Sequence, residues 1–261
     1  MQIGSVVSLW RYPVKSMMGE ELNSSEVTGV GLLGDRGYAV IDKADGKAGS
    51  AKNPRKWPTL FDFRARLDAG AAHITLPDGT IVSSDQDNVD EILSKGFGRD
   101  VSLRAAGREI VRAEGLWPDM EGLPYRNMIK EFSVAQGTFF DAGLIHIVTT
   151  ATIDRLRELY PQGRFEVRRF RPNIVVELST DETGFVENGW VGRTIAVGDE
   201  VRLNVTAHCN RCVMTTLPQG DLPKDPGILR TIAQHNDVRV GVYTGVMCGG
   251  IIRRGDPLVF E

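Results

Sequence analysis

The chain's three thiols are Cys209, Cys212 and Cys248, and two of them form the string Cys209-Asn210-Arg211-Cys212. A single C-x-x-C pair lacks the paired spacing of a four-ligand zinc site, and no βαβ pattern flanks it as in a thioredoxin motif. His208 and Cys248 could complete a zinc set on paper, and small buried hydrophobes are the plainer use of such cysteines. Cys212 differs from the other two in its surroundings. Arg211 precedes it, and Thr215-Thr216 and a turn follow, a setting that can hold a thiolate by charge and backbone donors. A thiolate there is either a soft ligand for a transition metal or a sulfur nucleophile. Anion chemistry is suggested by scattered short pieces: Lys15-Ser16, Arg36 within GDR, and Arg171 with Asn173 within RFRPN. Each alone reads as a solvated strand-end group, so an anion site requires the fold to bring them together.

Several elements could position these groups. Ile3 to Trp10 reads as a strand that Tyr12-Pro13 ends, which leaves Val14-Lys15-Ser16 just past its end. Residues 26–42 read as two strands around a Gly-rich turn, with Asp45-Gly46 as a hairpin signal, and 49–57 (GSAKNPRKW) as a loop. Strands resume on either side of Gly70 and end at Asp78-Gly79. Val89, Ile92 and Leu93 share one face of a short helix over 86–96, stopped at Gly96, and 101–106 is a further strand. Residues 112–140, with Trp117, Pro118, Pro124 and Phe139-Phe140, show weak periodicity and read as an irregular connection. They divide the chain into 1–115 and 116–261.

Beyond the division, LIHIVTT is an apolar strand and ATIDRLRELY a helix with Ile153, Leu156 and Leu159 at helical spacing. Thr149, Thr150 and Thr152 lie where that helix begins and could reach an anion, although N-capping is the ordinary use. Residues 164–178, 190–206 and 238–260 read as strands. The class is therefore β-rich mixed α+β with few helices and a barrel.

Composition narrows the function. The 261 residues carry 31 Lys+Arg against 34 Asp+Glu, a net charge of −3, so no bulk positive field draws the molecule to nucleic acid or anionic lipid. Three cysteines without a signal peptide suit a reducing compartment, and no window is apolar for long enough to span a bilayer. A soluble cytoplasmic protein is expected.

The strings RYPVKS (11–16), GDRGYAVID (34–42), RFRPNIVVE (169–177), CNRCVMTT (209–216) and GDPLVF (255–260) resemble the MOSC-domain family, in the two-module branch that includes the mitochondrial amidoxime-reducing component and its bacterial relatives. The resemblance runs from residue 11 to residue 260. It implies an N-terminal MOSC-associated β-barrel module packed on a MOSC β-barrel, with a molybdenum cofactor (Mo-molybdopterin) between them. It further implies that Cys212 ligates molybdenum, that Lys15, Ser16 and Arg36 hold the pterin phosphate and its surroundings, and that Arg171 and Asn173 make the RPN contacts. Cys209 and Cys248 have no ligand role in it. A dianionic phosphate wants fixed cations, and a metal held by dithiolene sulfurs accepts one further soft thiolate.

This chain departs from the family in having Met17 after VKS, and Asp141-Ala142-Gly143 where the mitochondrial relatives carry hydroxyls. By the same resemblance Lys52, Asn53 and Arg55 would border a substrate pocket that Trp57 could wall, whereas the bare sequence equally allows a solvated basic loop. The implied activity is reduction of N-hydroxylated or N-oxygenated compounds by oxygen-atom abstraction. An external electron donor (a ferredoxin, flavoprotein or cytochrome) is expected, since no further cysteines remain to hold an iron–sulfur cluster. A different class of function is a sulfur carrier with a persulfide on Cys212, and a third is cofactor storage or insertion without turnover.

Overall fold

The computed structural model describes residues 2–117 and 127–261. Its largest sheet has eight strands, and seven of them close on themselves. In order round the ring these are Ile174–Leu178, Ile145–Thr149, Arg239–Cys248, Val201–Asn210, Thr194–Val197, Pro257–Phe260 and Gln2–Arg11, which pairs back onto Ile174–Leu178. Glu20–Leu22 is appended to the edge of Gln2–Arg11. The N-terminal strand thus completes a barrel whose other strands all come from beyond residue 144. Alternating inward residues such as Leu9, Ile147, Ile174, Leu203, Val242 and Leu258 fill the barrel. Three register breaks lie between Val201–Asn210 and Arg239–Cys248 and give these long strands the bend that closure needs.

The barrel's parallel strand pair, Ile145–Thr149 with Ile174–Leu178, is linked by the helix Thr150–Leu159, as a parallel connection requires. Thr149 caps that helix by accepting from the Thr152 N–H at 3.1 Å, and both hydroxyls donate to the buried Glu187 carboxylate. The threonines there serve as cap and carboxylate ligands within the protein.

A second body holds Tyr38–Asp42 paired with Val101–Ala105, the meander Arg64–Asp68, Ala71–Thr75 and Ile81–Ser83, and the helix Val89–Phe97. Phe63, Ile74, Leu93 and Trp57 form its core. Val213, Met214 and Leu217, which immediately follow Cys212, pack into this core rather than into the barrel, as do Met17 and Met18 after Ser16. The two chain segments with the most chemistry therefore sit at the junction of the two cores.

The β-rich α+β class holds, and several element expectations change. Residues 112–140 contain a hairpin, Arg112–Leu116 with Ile129–Ser133, whose half-exposed faces hide the alternation; Pro118 and Pro124 lie outside the described residues. The stretch 164–178 is not one strand. It starts with the single helical turn Val167–Phe170, and Arg171 in a left-handed conformation turns the chain into Ile174–Leu178. The strand expected over 190–206 divides at Gly198 (φ 59°) into Thr194–Val197 and Val201–Asn210. The helix near residue 90 stops at Gly98 (φ 60°), whereas Gly96 is kept small by Leu76 and Phe63. A further helix, Pro226–Asn236, follows the Asp225 cap and buries Ile228, Leu229 and Ile232, a start signal and spacing legible in the sequence.

Candidate functional site

One cavity at the junction of the two bodies collects Lys15, Ser16, Arg36, Arg171, Asn173 and Cys212 on its walls. It has about 100 Å³ of inner space and about 690 Å³ counting its open mouth. Residues as far apart in sequence as Lys15 and Cys212 meet there because Gln2–Arg11 delivers Lys15 beside the start of Ile174–Leu178, and Val201–Asn210 ends just before Cys212. Ser16 (φ 62°), Arg36 (φ 50°) and Arg171 (φ 53°) are three of the seven non-glycine residues with left-handed backbone among the described residues. Such backbone costs about 1–3 kcal/mol per residue and persists only where the surroundings hold it, and it concentrates at ligand sites.

Lys15 is buried and donates to the Phe139 carbonyl at 3.1 Å and to the Asp141 carboxylate. Burial lowers its pKa despite Asp141, which marks a cation that lacks solvent. Lys52 reaches the other oxygen of Asp141 at 2.9 Å. Burial pushes the Asp141 carboxyl up, but Lys15 and Lys52 more than offset it and hold the group well below the usual carboxylate range. The Asp141 side chain thus binds two lysines together.

Arg36 pairs with Asp35 and lies over the Tyr12 ring, 4.4 Å from its centroid; Arg171 lies 4.1 Å from the centroid of the same ring. Burial, then the neighbouring Arg36, lowers the Arg171 pKa to about 9. The described hydrogen bond of its guanidinium is to the Met17 carbonyl, so other donors of the group remain for a ligand. Asn173 is different: its Nδ2 donates to Asp35 at 2.8 Å and to the Trp10 carbonyl at 3.2 Å, and its Oδ1 accepts from the His146 N–H at 3.1 Å. Both amide protons are engaged within the protein, and the side chain fixes Asp35, hence Arg36. The Ser16 hydroxyl accepts from the Ala51 N–H at 3.1 Å and keeps its own proton to donate.

Cys212 is half-buried and extended, at the start of the short 3₁₀ turn Val213–Thr216, where its carbonyl accepts from the Thr215 hydroxyl at 3.0 Å. Arg211 donates through Nη2 to the Phe170 carbonyl at 2.8 Å, while its Nε is buried without a partner. The zinc set does not assemble among the described residues: Cys209 is buried, Cys248 is exposed, and the His208 ring meets the Asn188 carbonyl at 3.1 Å.

Of the loop residues expected to border a pocket, Lys52 lines the cavity. Asn53 is buried and tied to Glu114, Arg55 pairs with Asn127, and Trp57 packs edge-on to Phe97 in the core.

Arg211, read from the sequence as the neighbour that can hold the Cys212 thiolate by charge, itself lines the cavity. Two groups of residues escaped the sequence reading. His146 and Tyr243 lie on apolar strands without any local mark, yet both line the cavity. Arg169 belongs to the RFRPN string itself. Fully buried, it donates to the carbonyls of Arg164, Thr215, Leu217 and Pro223 at 2.8–3.1 Å, and so secures the segment that follows Cys212.

Two family models match the chain in sequence order: the MOSC N-terminal beta barrel domain over residues 3–109, and the MOSC domain over residues 136–259. The chain is 28% identical to mitochondrial amidoxime reducing component 2 of Macaca fascicularis, over 98% of this chain and 83% of that protein. It is 27% identical to mitochondrial amidoxime-reducing component 1 of Mus musculus, over 98% and 82%. Similarity also extends to the molybdenum cofactor sulfurase of Oryza sativa subsp. japonica, at 22% identity over 90% of this chain and 31% of that protein. Among solved structures, the YUAD protein from Bacillus subtilis superposes with a TM-score of 0.50 at 12% identity, covering 98% of this chain and 94% of that one, which supports the fold. No helix among the described residues is long and apolar enough to cross a membrane. With both models matched in order and a closed barrel bearing Cys212 at its rim, the chain belongs to the MOSC-domain family, in the branch where an N-terminal barrel domain precedes the MOSC domain.

Proposed function

We propose that the protein is a molybdenum-cofactor-dependent reductase of N-hydroxylated and related N-oxygenated compounds. The observation that carries this reading is the convergence of one thiol, Cys212, with five cations (Lys15, Arg36, Lys52, Arg171 and Arg211) against one carboxylate in a single cavity. The donor set suits a phosphorylated pterin bearing a soft metal. An unpartnered buried Arg211 Nε and an under-solvated Lys15 and Arg171 call for an anion, and a half-buried thiol beside two cations suits a metal that takes sulfur.

When bound, the molybdenum cofactor supplies two-electron, oxygen-abstracting chemistry. The chain's own residues do the rest. Lys15, Arg36 and Arg171, with the Ser16 hydroxyl, hold the phosphate. Asn173 and Asp35 fix Arg36, and Cys212 is the protein's ligand to the metal, presented by a segment that Arg169 holds. The mitochondrial amidoxime reducing components among its relatives give the substrate class. Electrons come from a separate iron–sulfur, flavin or haem protein. Metal and pterin analysis after expression in a cofactor-competent host tests the reading. Stoichiometric molybdenum with turnover of an N-hydroxylated base under a reducing partner is the expected result. A Cys212 persulfide without molybdenum would instead establish a sulfur carrier.

A further inference from the structure

Behind the cavity wall stands Tyr12, fully buried, and two of the cavity's cations rest on its ring. The Arg36 and Arg171 guanidiniums lie 4.4 Å and 4.1 Å from the ring centroid. Each has a further aromatic neighbour, Phe140 at 5.4 Å for Arg36 and Phe61 at 5.7 Å for Arg171, but Tyr12 is the ring they share. The Tyr12 backbone joins the same group. Its N–H donates to the Asp35 carboxylate at 2.7 Å, and its carbonyl accepts from the Arg36 N–H at 2.9 Å. Arg36 Nη2 in turn donates to the Arg171 carbonyl at 3.4 Å.

Two neighbouring guanidiniums repel, and burial withholds the water that would screen them. Arg36 has the Asp35 carboxylate as counter-charge. Arg171 has no carboxylate within ion-pair distance among the described residues, and its described side-chain contacts are the Met17 carbonyl and the rings of Tyr12 and Phe61. The negative face of an aromatic ring attracts a guanidinium, most strongly where water is excluded.

Tyr12 contributes as a ring and not as a phenol. Its hydroxyl is buried without a partner, and burial raises its pKa well above the ordinary value, so it adds no negative charge. Gly19 keeps the seat open, since a Cβ there would stand 2.5 Å from Tyr12 Cδ1.

We infer that Tyr12 is the positioning residue of the anion anchor: its ring, stacked on Arg36 and Arg171 together, holds both guanidiniums side by side at the cavity wall before any phosphate arrives. That the phosphate belongs to a pterin rests on the reductase reading above, whereas the ring's role requires only a phosphate group. Donors ordered in advance bind more tightly, because the cost of gathering them is met before the ligand enters. Without the ring, two repelling cations would have to be brought together at the moment of binding.

Inorganic phosphate and cofactor-free protein, followed by calorimetry, test this. Tyr12→Phe should bind phosphate as the wild type does, because the ring remains and the lost hydroxyl has no partner. Mono-, di- and trifluorinated phenylalanines at the same position nearly preserve the shape of the ring while withdrawing charge from its face. Along that series phosphate affinity should fall stepwise, by about tenfold in all, at a melting temperature close to that of Tyr12→Phe. A ring that only fills space gives no graded loss. Equal affinity throughout the series overturns the inference, as does a wild type that binds no phosphate at tens of millimolar. The molybdenum content of the wild type from a cofactor-competent host separates the two readings. A graded loss of phosphate affinity without molybdenum keeps the ring's role and removes the reductase reading; molybdenum with a flat series removes the ring's role alone.

Discussion

Lys15, Arg36 and Arg171 are single side chains whose worth can be measured one at a time. If they hold a buried phosphate, each change to Gln removes a charge-assisted bond of about 1.5–3 kcal/mol, roughly a ten- to hundredfold loss of cofactor retention. Lys43→Gln, an exposed pair with Asp100, should change nothing. Bound molybdenum and pterin after gel filtration, with a thermal melt as folding control, decide it; equal content in all four variants would sink the anchor. Cys212→Ser should empty the metal site while Cys209→Ser keeps it, read by metal analysis. The sequence named the cations and Cys212 because their types and strings are conspicuous. It could not assign work among them: Asn173 looks like a ligand by type, yet both its amide protons are engaged within the protein. His146 gave no sign, since a histidine in an apolar strand carries no mark of the cavity that three-dimensional closure sets beside it.

At the scale of elements, Arg169 and Glu187 show how segments are fastened. Arg169→Met would leave the Thr215, Leu217 and Pro223 carbonyls without their donor, a loss of about 3–5 kcal/mol that a thermal melt would read, with Arg169→Lys recovering part. Glu187 joins the turn Val186–Trp190 to the start of helix Thr150–Leu159. Burial pushes its carboxyl above the ordinary 4.5, against the lowering by the Thr152 and Thr149 hydroxyls. A carboxyl raised in the folded state binds more protons folded than unfolded, so its contribution to stability is full below the unfolded value. It is lost as pH rises towards the folded value. Glu187→Gln has no such proton, so its melting temperature relative to wild type should rise between about pH 4 and pH 8. A constant difference across that range would count against a raised carboxyl. The helix Thr150–Leu159 was legible because cap, periodicity and terminator agree. The hairpin over 112–133 was not, because its faces are only half-buried and leave no apolar alternation.

At the scale of the molecule, the barrel takes one of its seven strands from the opposite end of the chain. The segment 116–261 expressed alone should therefore lack a wall between Ile174–Leu178 and Pro257–Phe260, and remain unfolded or self-associated. Coexpression with residues 1–115 should restore a monomeric complex, judged by gel filtration and circular dichroism; an independently folded 116–261 fragment would refute this. No pattern in the sequence announces such closure, because Gln2–Arg11 looks like any strand and its partners are about 170 and 250 residues away. The same pairing also has a meaning in time. On the ribosome Gln2–Arg11 must wait for Ile174–Leu178 along one edge and for Pro257–Phe260 along the other, so the barrel cannot close before residue 260 has been made. The waiting interval, with its exposed strand edges, is when the chain is most open to aggregation and most in need of a chaperone.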